Sequence, residues 1–257
     1  MDEDLIGCEV EGGVGIVTLR RPPANALGEA VVAGLDAACD RLDELDVGVA
    51  VVRSVVPRFF AAGADLKLLV GLDPIGFGEY LRPLRAVLRR ISTSQWLSIA
   101  AIEGHALGGG LELALACTLR VAGTGARLGV PEVKLGLLPG ATGTQQLTRL
   151  VGRGHALDLL LTGRSTTGEE AYGLGLVDRL VDEGSAEAEA RRWAAELADG
   201  PRSAYAAIVR CVDAARDLPL DEGLDVELTE ILALFDTDDA REGVAAFVER
   251  RPARFGE

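Results

Sequence analysis

Lysine is nearly missing from this chain. Lys67 and Lys134 are the only two, and every other basic residue is arginine. Positive charge as a whole is short: 26 basic residues face 40 acidic ones, for a formal charge of −14. That balance excludes the basic face that nucleic acids and anionic membranes require, so neither is an expected partner. A long hydrophobic run is missing too. The most apolar stretch, around 111–117, falls far short of the roughly 20 residues that span a membrane. The first thirty residues carry Asp2, Glu3, Asp4, Glu9 and Glu11 with no basic segment ahead of an apolar one. No secretory leader is therefore expected, and the expected location is cytoplasmic. The four cysteines, Cys8, Cys39, Cys117 and Cys211, lie far apart, with no CxxC or Cys/His spacing that could build a metal site. They read as reduced small hydrophobes.

What is present is globular. Hydrophobic residues make up 48% of 257 and charged residues 26%, enough to bury a large core. VGIVTL (14–19) and VGVAVV (47–52) are short β-branched runs that predict buried strands. Between them, Val31, Val32, Leu35, Ala38, Leu42 and Leu45 recur at helical spacing. Strand–helix–strand is the unit of a parallel sheet. The alternation continues with a helix over about 77–90, a strand over 96–102, a helix from Gly109 to about Cys117 and a strand over 118–121. Thr167 and Glu170 have capping-box spacing for a short helix. Beyond Val177, residues 185–199, 202–215, 221–235 and 239–249 read as consecutive amphipathic helices. The pattern divides the chain into an α/β core over 1–180 and a C-terminal helical subdomain over 181–257.

Three segments carry chemistry. In FFAAGADLK (59–67), small residues let the backbone approach a ligand and leave the Ala64 N–H as a donor; a tight strand-to-helix turn explains the segment as well. In IEGHALGGGLEL (102–113), three glycines stand between a buried strand and a helix. They put unhindered N–H groups where orphan donors and the helix dipole favour an oxyanion. The spacing matches neither GxGxxG nor a phosphate-binding P-loop. Glu112 sits in the first turn of that helix amid leucines and alanine, and can point to the glycine turn or merely complement the dipole. In LGVPEVKLGLLPG (128–140), Glu132 lies between apolar residues after Pro131. A carboxyl so placed has a raised pKa, as a general acid requires; a surface Glu in a proline turn is the alternative. His105 and His155, the only two histidines, are not expected to be catalytic.

Together the three segments resemble the enoyl-CoA hydratase/isomerase (crotonase) superfamily, over nearly the whole chain. RPPANAL (21–27) is similar to the family's N-terminal signature; FAAGADLK and ALGGGLELALAC are similar to its two oxyanion-hole segments. PEVKLGLLPGATGTQQLTRLVG resembles its second catalytic stretch, and LTGRSTTGEEAYGLGLVDRLV and Thr237–Gly243 resemble its later landmarks. Motifs in this order imply ββα turns that spiral around two nearly perpendicular sheets. A C-terminal helical part would build trimers, often paired into hexamers. The resemblance also implies that Ala64 and Gly109 supply the oxyanion-hole N–H groups. Glu112 and Glu132 would then hold the attacking water, and Gly140 would help seat it. Ala24, Ala62, Asp65, Leu66 and Lys67 would receive the coenzyme A (CoA) moiety. Arg21, Arg58 and, from a neighbouring subunit, Arg250 join Lys67 as candidates for its phosphates. CoA enters as part of the substrate, so no separate cofactor and no metal is expected.

Relatives that only move a double bond commonly keep the carboxylate matching Glu132 and lose the other; hydratases use both. The expected activity is therefore hydration of 2-trans-enoyl-CoA. Double-bond isomerisation or another acyl-CoA reaction is the alternative, and a non-catalytic acyl-CoA-binding protein a remote one. The stretch around ALGGGLELALAC also resembles the hydratase/isomerase part of bifunctional β-oxidation enzymes, which hints at dual activity. Two positions depart from the family's pattern. Pro23 and Ala24 stand where a basic residue is common near the CoA phosphates, and Thr142 and Gln146 replace a more usual Gly and Arg.

Overall fold

The computed structural model describes residues 5–256; Asp2, Glu3 and Asp4, which entered the reading of the N-terminus, lie outside them. Six strands form the first sheet: β1 (Ile6–Glu11), β2 (Val14–Leu19), β3 (Val49–Ser54), β5 (Leu97–Ile102), β7 (Leu119–Gly123) and β10 (Arg179–Val181). Their order is β1-β2-β3-β5-β7-β10. β1 pairs antiparallel to β2, and every later pairing is parallel. Period-2 alternation sends successive side chains to opposite faces. Val17, Leu19, Ala50, Val52, Ala100 and Ile102 join one buried cluster. Ile16, Val49, Val51, Leu97, Ile99 and Ala101 join another. Both faces are covered, which is why β2 and β5 are apolar throughout.

Four short strands form the second sheet: β4 (Phe59–Ala61), β6 (His105–Leu107), β8 (Arg127–Gly129) and β9 (Ser165–Thr167). They run in the order β4-β6-β8-β9, with β9 antiparallel. The helices are α1 (Glu29–Glu44), α2 (Leu66–Leu69), α3 (Pro74–Ser92), α4 (Gly109–Ala116), α5 (Gly143–Thr162), α6 (Gly168–Gly173), α7 (Ala186–Ala198), α8 (Arg202–Asp217), α9 (Leu220–Phe235) and α10 (Asp238–Glu249). Each turn of the chain thus runs through a first-sheet strand, a short second-sheet strand and a helix. β3-β4-α3, β5-β6-α4 and β7-β8-α5 repeat that order. A plain parallel sheet, which the strand–helix alternation alone suggests, lacks the second sheet.

α7 belongs to the sheet and not to the helices that follow. Ala186, Ala190 and Ala194 form an i, i+4 stripe packed on β2, β3, β5 and β7, where small side chains let the helix lie close. The division of the chain at residue 180 therefore separates α7 from the sheet that it covers. α9 buries none of its residues. No helix among the described residues is long and apolar enough to cross a membrane.

Candidate active site

Every residue of α4 is buried, so Glu112 has no route to bulk solvent along its own helix. A buried carboxylate is tolerated only when hydrogen bonds replace its hydration. Glu112 is 2% exposed, and its Oε1 accepts the backbone N–H groups of Ala141, Thr142 and Gly143 at 2.9, 2.7 and 2.7 Å. All three bonds fall on one oxygen, and Oε2 receives none of them. The side chain thus turns toward the 141–143 loop, away from the role of a helix-start charge. Glycine is required at 143, where a Cβ would stand 2.6 Å from Pro139 and 3.1 Å from Glu112 Oε1.

Glu132 lies on a single 3-10 turn, Pro131–Leu135. Its Oε2 is buried without a partner. Burial, reinforced by the Glu112 charge, pushes this carboxyl up to about 7, against a hydrogen bond from its own backbone. Its Oε1 comes within 2.5 Å of where a Cβ on Gly108 would stand. Gly108 is the N-cap of α4, at φ 52. Glu132 thus reaches the N-cap of the helix whose first turn carries Glu112, near enough for the Glu112 side chain to act on it electrostatically.

The Ala64 and Gly109 N–H groups, expected to form an oxyanion hole, converge at the same place. Gly109 is the first residue of α4, whose N–H has no intrahelical acceptor. Its nitrogen lies 3.0 Å from the position of a Cβ on Gly63, and Ala64 N lies 3.7 Å from that of a Cβ on Gly109. Gly63 has φ +90, and a Cβ on Gly110 would collide with the Ala61 carbonyl. Only glycines let these two backbones approach so closely. The N-terminal turn is stapled to them. Leu27 N donates to Gly63 O at 2.7 Å, Ala62 N to Ala24 O at 2.9 Å, and Tyr80 Oη to Leu27 O at 2.8 Å.

The structure brings Ala24, Ala62, Ala64, Asp65, Gly109, Glu112 and Glu132 together, and Gly140 immediately precedes the amides that hold Glu112. Leu66 and Lys67 open α2 beside them, exposed. Arg21 is already engaged, bonding Asp65 Oδ2 at 2.6 Å and the Ala26 carbonyl at 2.7 Å. Its guanidinium holds the Asp65 carboxyl below the usual range, so the pair offers little net charge to a phosphate. Arg58 stands at the opposite end of β4 from Ala62, its carbonyl accepting from His105 N at 2.8 Å. Arg250 caps the end of α10. His105 lies against Phe59 with the rings tilted by 37° and centroids 5.0 Å apart, and His155 is exposed on α5 past a break at Gly152.

The family model described as enoyl-CoA hydratase/isomerase matches residues 9–257. The chain belongs to that family. It is 39% identical to the "Probable enoyl-CoA hydratase" of Rhizobium meliloti (strain 1021) over 99% of each chain. It is 36% identical to the mitochondrial methylglutaconyl-CoA hydratase of Homo sapiens, over 94% of this chain and 74% of that one. A crystal structure of an enoyl-CoA hydratase subunit from Geobacillus kaustophilus HTA426 superposes with TM-score 0.93 at 42% identity, covering 98% of both chains. The spiral of ββα turns is therefore the crotonase fold, and the chain is an enzyme of the hydro-lyase class.

Sequence reasoning missed two supports of this crotonase site. One is the trio of amides at 141–143. The other is Asn25, buried at φ 51. Its side chain accepts from Arg21 N and donates to Ser54 Oγ and the Phe60 carbonyl. Asparagine's tolerance of positive φ, inside a turn holding two prolines, was the available signal.

Proposed function

We propose that this chain adds water across the 2,3 double bond of 2-trans-enoyl-CoA thioesters, giving 3-hydroxyacyl-CoA. One observation carries the reading: the two glutamates stand in different surroundings, Glu112 gripped by three backbone N–H groups and Glu132 buried with an unpartnered oxygen. The three N–H groups on Oε1 fix the Glu112 carboxyl in place, as a base at a defined position requires. Burial keeps Glu132 near 7, where it holds a proton to give. With the thioester oxygen against the Ala64 and Gly109 N–H groups, charge flows out of C3. Glu112 takes a proton from water as the water oxygen bonds to C3, and Glu132 delivers its proton to C2. No separate cofactor enters this reaction; CoA comes and goes with the substrate. Lys67, unencumbered by a strong partner, is the first candidate for a CoA phosphate, with Arg58 and a neighbour's Arg250 behind it.

The working form is a homotrimer or a hexamer made of two trimers. α9 presents Leu220, Leu224, Leu228, Leu232 and Phe235 to solvent, and α10 presents Val244, Phe247 and Val248, apolar exposure of the kind that marks interaction sites. The four cysteines are free, which suits a reducing cytoplasm.

The test is Glu112→Gln on a 2-trans-enoyl-CoA, following loss of the conjugated thioester absorbance. Hydration should fall at least ~100-fold, the low end for a lost general base, with KM little changed. An isomerase would work through Glu132 alone and keep most double-bond migration in this variant. If the wild-type enzyme hydrates no enoyl-CoA, the hydratase reading fails outright.

A further inference from the structure

Tyr80 takes no part in the mechanism above, yet its hydroxyl ends beside the oxyanion donors. The side chain reaches in from α3, is buried, and donates to the Leu27 carbonyl at 2.8 Å. Burial pushes this hydroxyl above a tyrosine's usual value, against a backbone hydrogen bond from Asp65, so it stays protonated at neutral pH. A buried tyrosine hydroxyl needs a partner, and almost any carbonyl would satisfy it. What matters is the residue that owns this one.

Leu27 meets both donors. It forms an isolated parallel bridge with Ala64, in which Leu27 N donates to Gly63 O at 2.7 Å. In such a bridge one residue turns its N–H and C=O toward the other strand, and the N–H of the residue opposite faces away. The Ala64 N–H is thereby left for a ligand. The Gly63 carbonyl and the Ala64 N–H belong to one planar trans peptide and point opposite ways, so holding the carbonyl aims the N–H. Against the second donor Leu27 uses its side chain. Its Cδ1 lies 3.3 Å from where a Cβ on Gly109 would stand, with Ala64 N 3.7 Å from the same point. A shift of Leu27 therefore displaces both.

We infer that Tyr80 is a positioning residue of the oxyanion hole: its hydroxyl locks Leu27, and Leu27 sets the aim of the Ala64 N–H and its spacing from the Gly109 N–H. Such donors act only when they stand at hydrogen-bond distance from the place where charge develops, and their effect falls steeply as the angle opens. Without the hydroxyl, Leu27 keeps its bond to Gly63 but loses the anchor on its carbonyl. The Ala64 N–H then drifts off its aim while the contacts to the rest of the substrate stand. Polarisation of the thioester should weaken with little change in binding. The inference rests on the assignment of Ala64 and Gly109 as the oxyanion donors.

The experiment compares wild type, Tyr80→Phe and Val87→Ala. Val87 is buried two turns further along α3, so its truncation loosens the helix without deleting the bond to Leu27. Tyr80→Phe should lower kcat for a short 2-trans-enoyl-CoA about ten-fold, less than the ~100-fold or more for outright loss of an oxyanion donor, with KM within about two-fold. Val87→Ala should lower Tm at least as far and leave kcat within about two-fold of wild type. A second readout is spectral. A cinnamoyl-CoA carrying a para-dialkylamino group absorbs further to the red when its thioester carbonyl is polarised, and the red shift on binding should shrink in Tyr80→Phe. If Tyr80→Phe does not fold, Tyr80→Met deletes the same hydroxyl with a more adaptable side chain. Wild-type kcat in the hydroxyl-free variant overturns the inference, as does a full red shift in it. An equal loss of kcat in Val87→Ala also overturns it, because the effect would then be loosening of α3. A wild-type enzyme that binds the probe with no red shift is a different result, which removes the oxyanion assignment and the inference with it.

Discussion

Burial raises the Glu132 carboxyl to about 7, so the direction of two pH dependences follows. In the proposed mechanism Glu132 carries, below about 7, the proton that C2 receives. As pH rises through about 7 the donor form is depleted, and kcat/KM for hydration should fall. Stability moves the same way. A carboxyl whose value rises from 4.5 to about 7 on folding binds more protons in the native state across that window. Its contribution is whole below about 4.5 and lost as pH rises through about 7. Glu132→Gln should therefore flatten the decline of Tm between those limits, while costing hydration at least ~100-fold. Parallel Tm profiles for wild type and variant would contradict this. The raised value was legible in the sequence, because Val130, Pro131 and Val133 surround the residue. The cradle of Glu112 was not: main-chain donors from a loop thirty residues away leave no side-chain mark.

At the scale of elements, the active site depends on glycine at the mouth of α4. A Cβ on Gly110 meets the Ala61 carbonyl, a backbone atom that cannot swing aside. Gly110→Ala should cost about 1–3 kcal/mol, typical of overpacking, seen as a Tm lower by several degrees. Hydration should fall further than stability alone explains, because the Ala64 and Gly109 donors would be pushed apart. A variant with wild-type Tm and kcat would show that the two segments are not in tight register. Long elements were easy to read: the helix expected over 77–90 spans Pro74–Ser92 and that over 221–235 spans Leu220–Phe235. β4, β6, β8 and β9 were not, since three residues give period-2 alternation nothing to repeat. β1 also escaped, its outer half being exposed and acidic. The motif at Thr167–Glu170 was found in place, with the Thr167 hydroxyl on the Glu170 N–H.

For the molecule as a whole, the apolar faces of α9 and α10 decide solution behaviour. Phe235 is 75% exposed and Phe247 85%, and exposed apolar patches mark interaction surfaces. Sedimentation at micromolar concentration should give a trimer or hexamer, and Leu232→Glu should shift it toward monomer with loss of stability. A monomeric wild type would refute the assembly. Local periodicity could not have delivered the spiral, because nothing in a strand says which of two sheets it joins. The order and spacing of the motifs carried that information.

Main-chain donors also set how the base responds to chance substitution. The side chains at 141 and 142 can be exchanged without removing one of the three hydrogen bonds on Glu112, provided the exchange fits, whereas position 143 has no room for a side chain. Proline alone, with no N–H to give, would take a donor away outright. The grip on Glu112 is thus indifferent to which side chains stand at 141 and 142, and fragile toward proline there and toward any side chain at 143. That latitude leaves the side chain at position 142 free to vary while the hold on Glu112 stands.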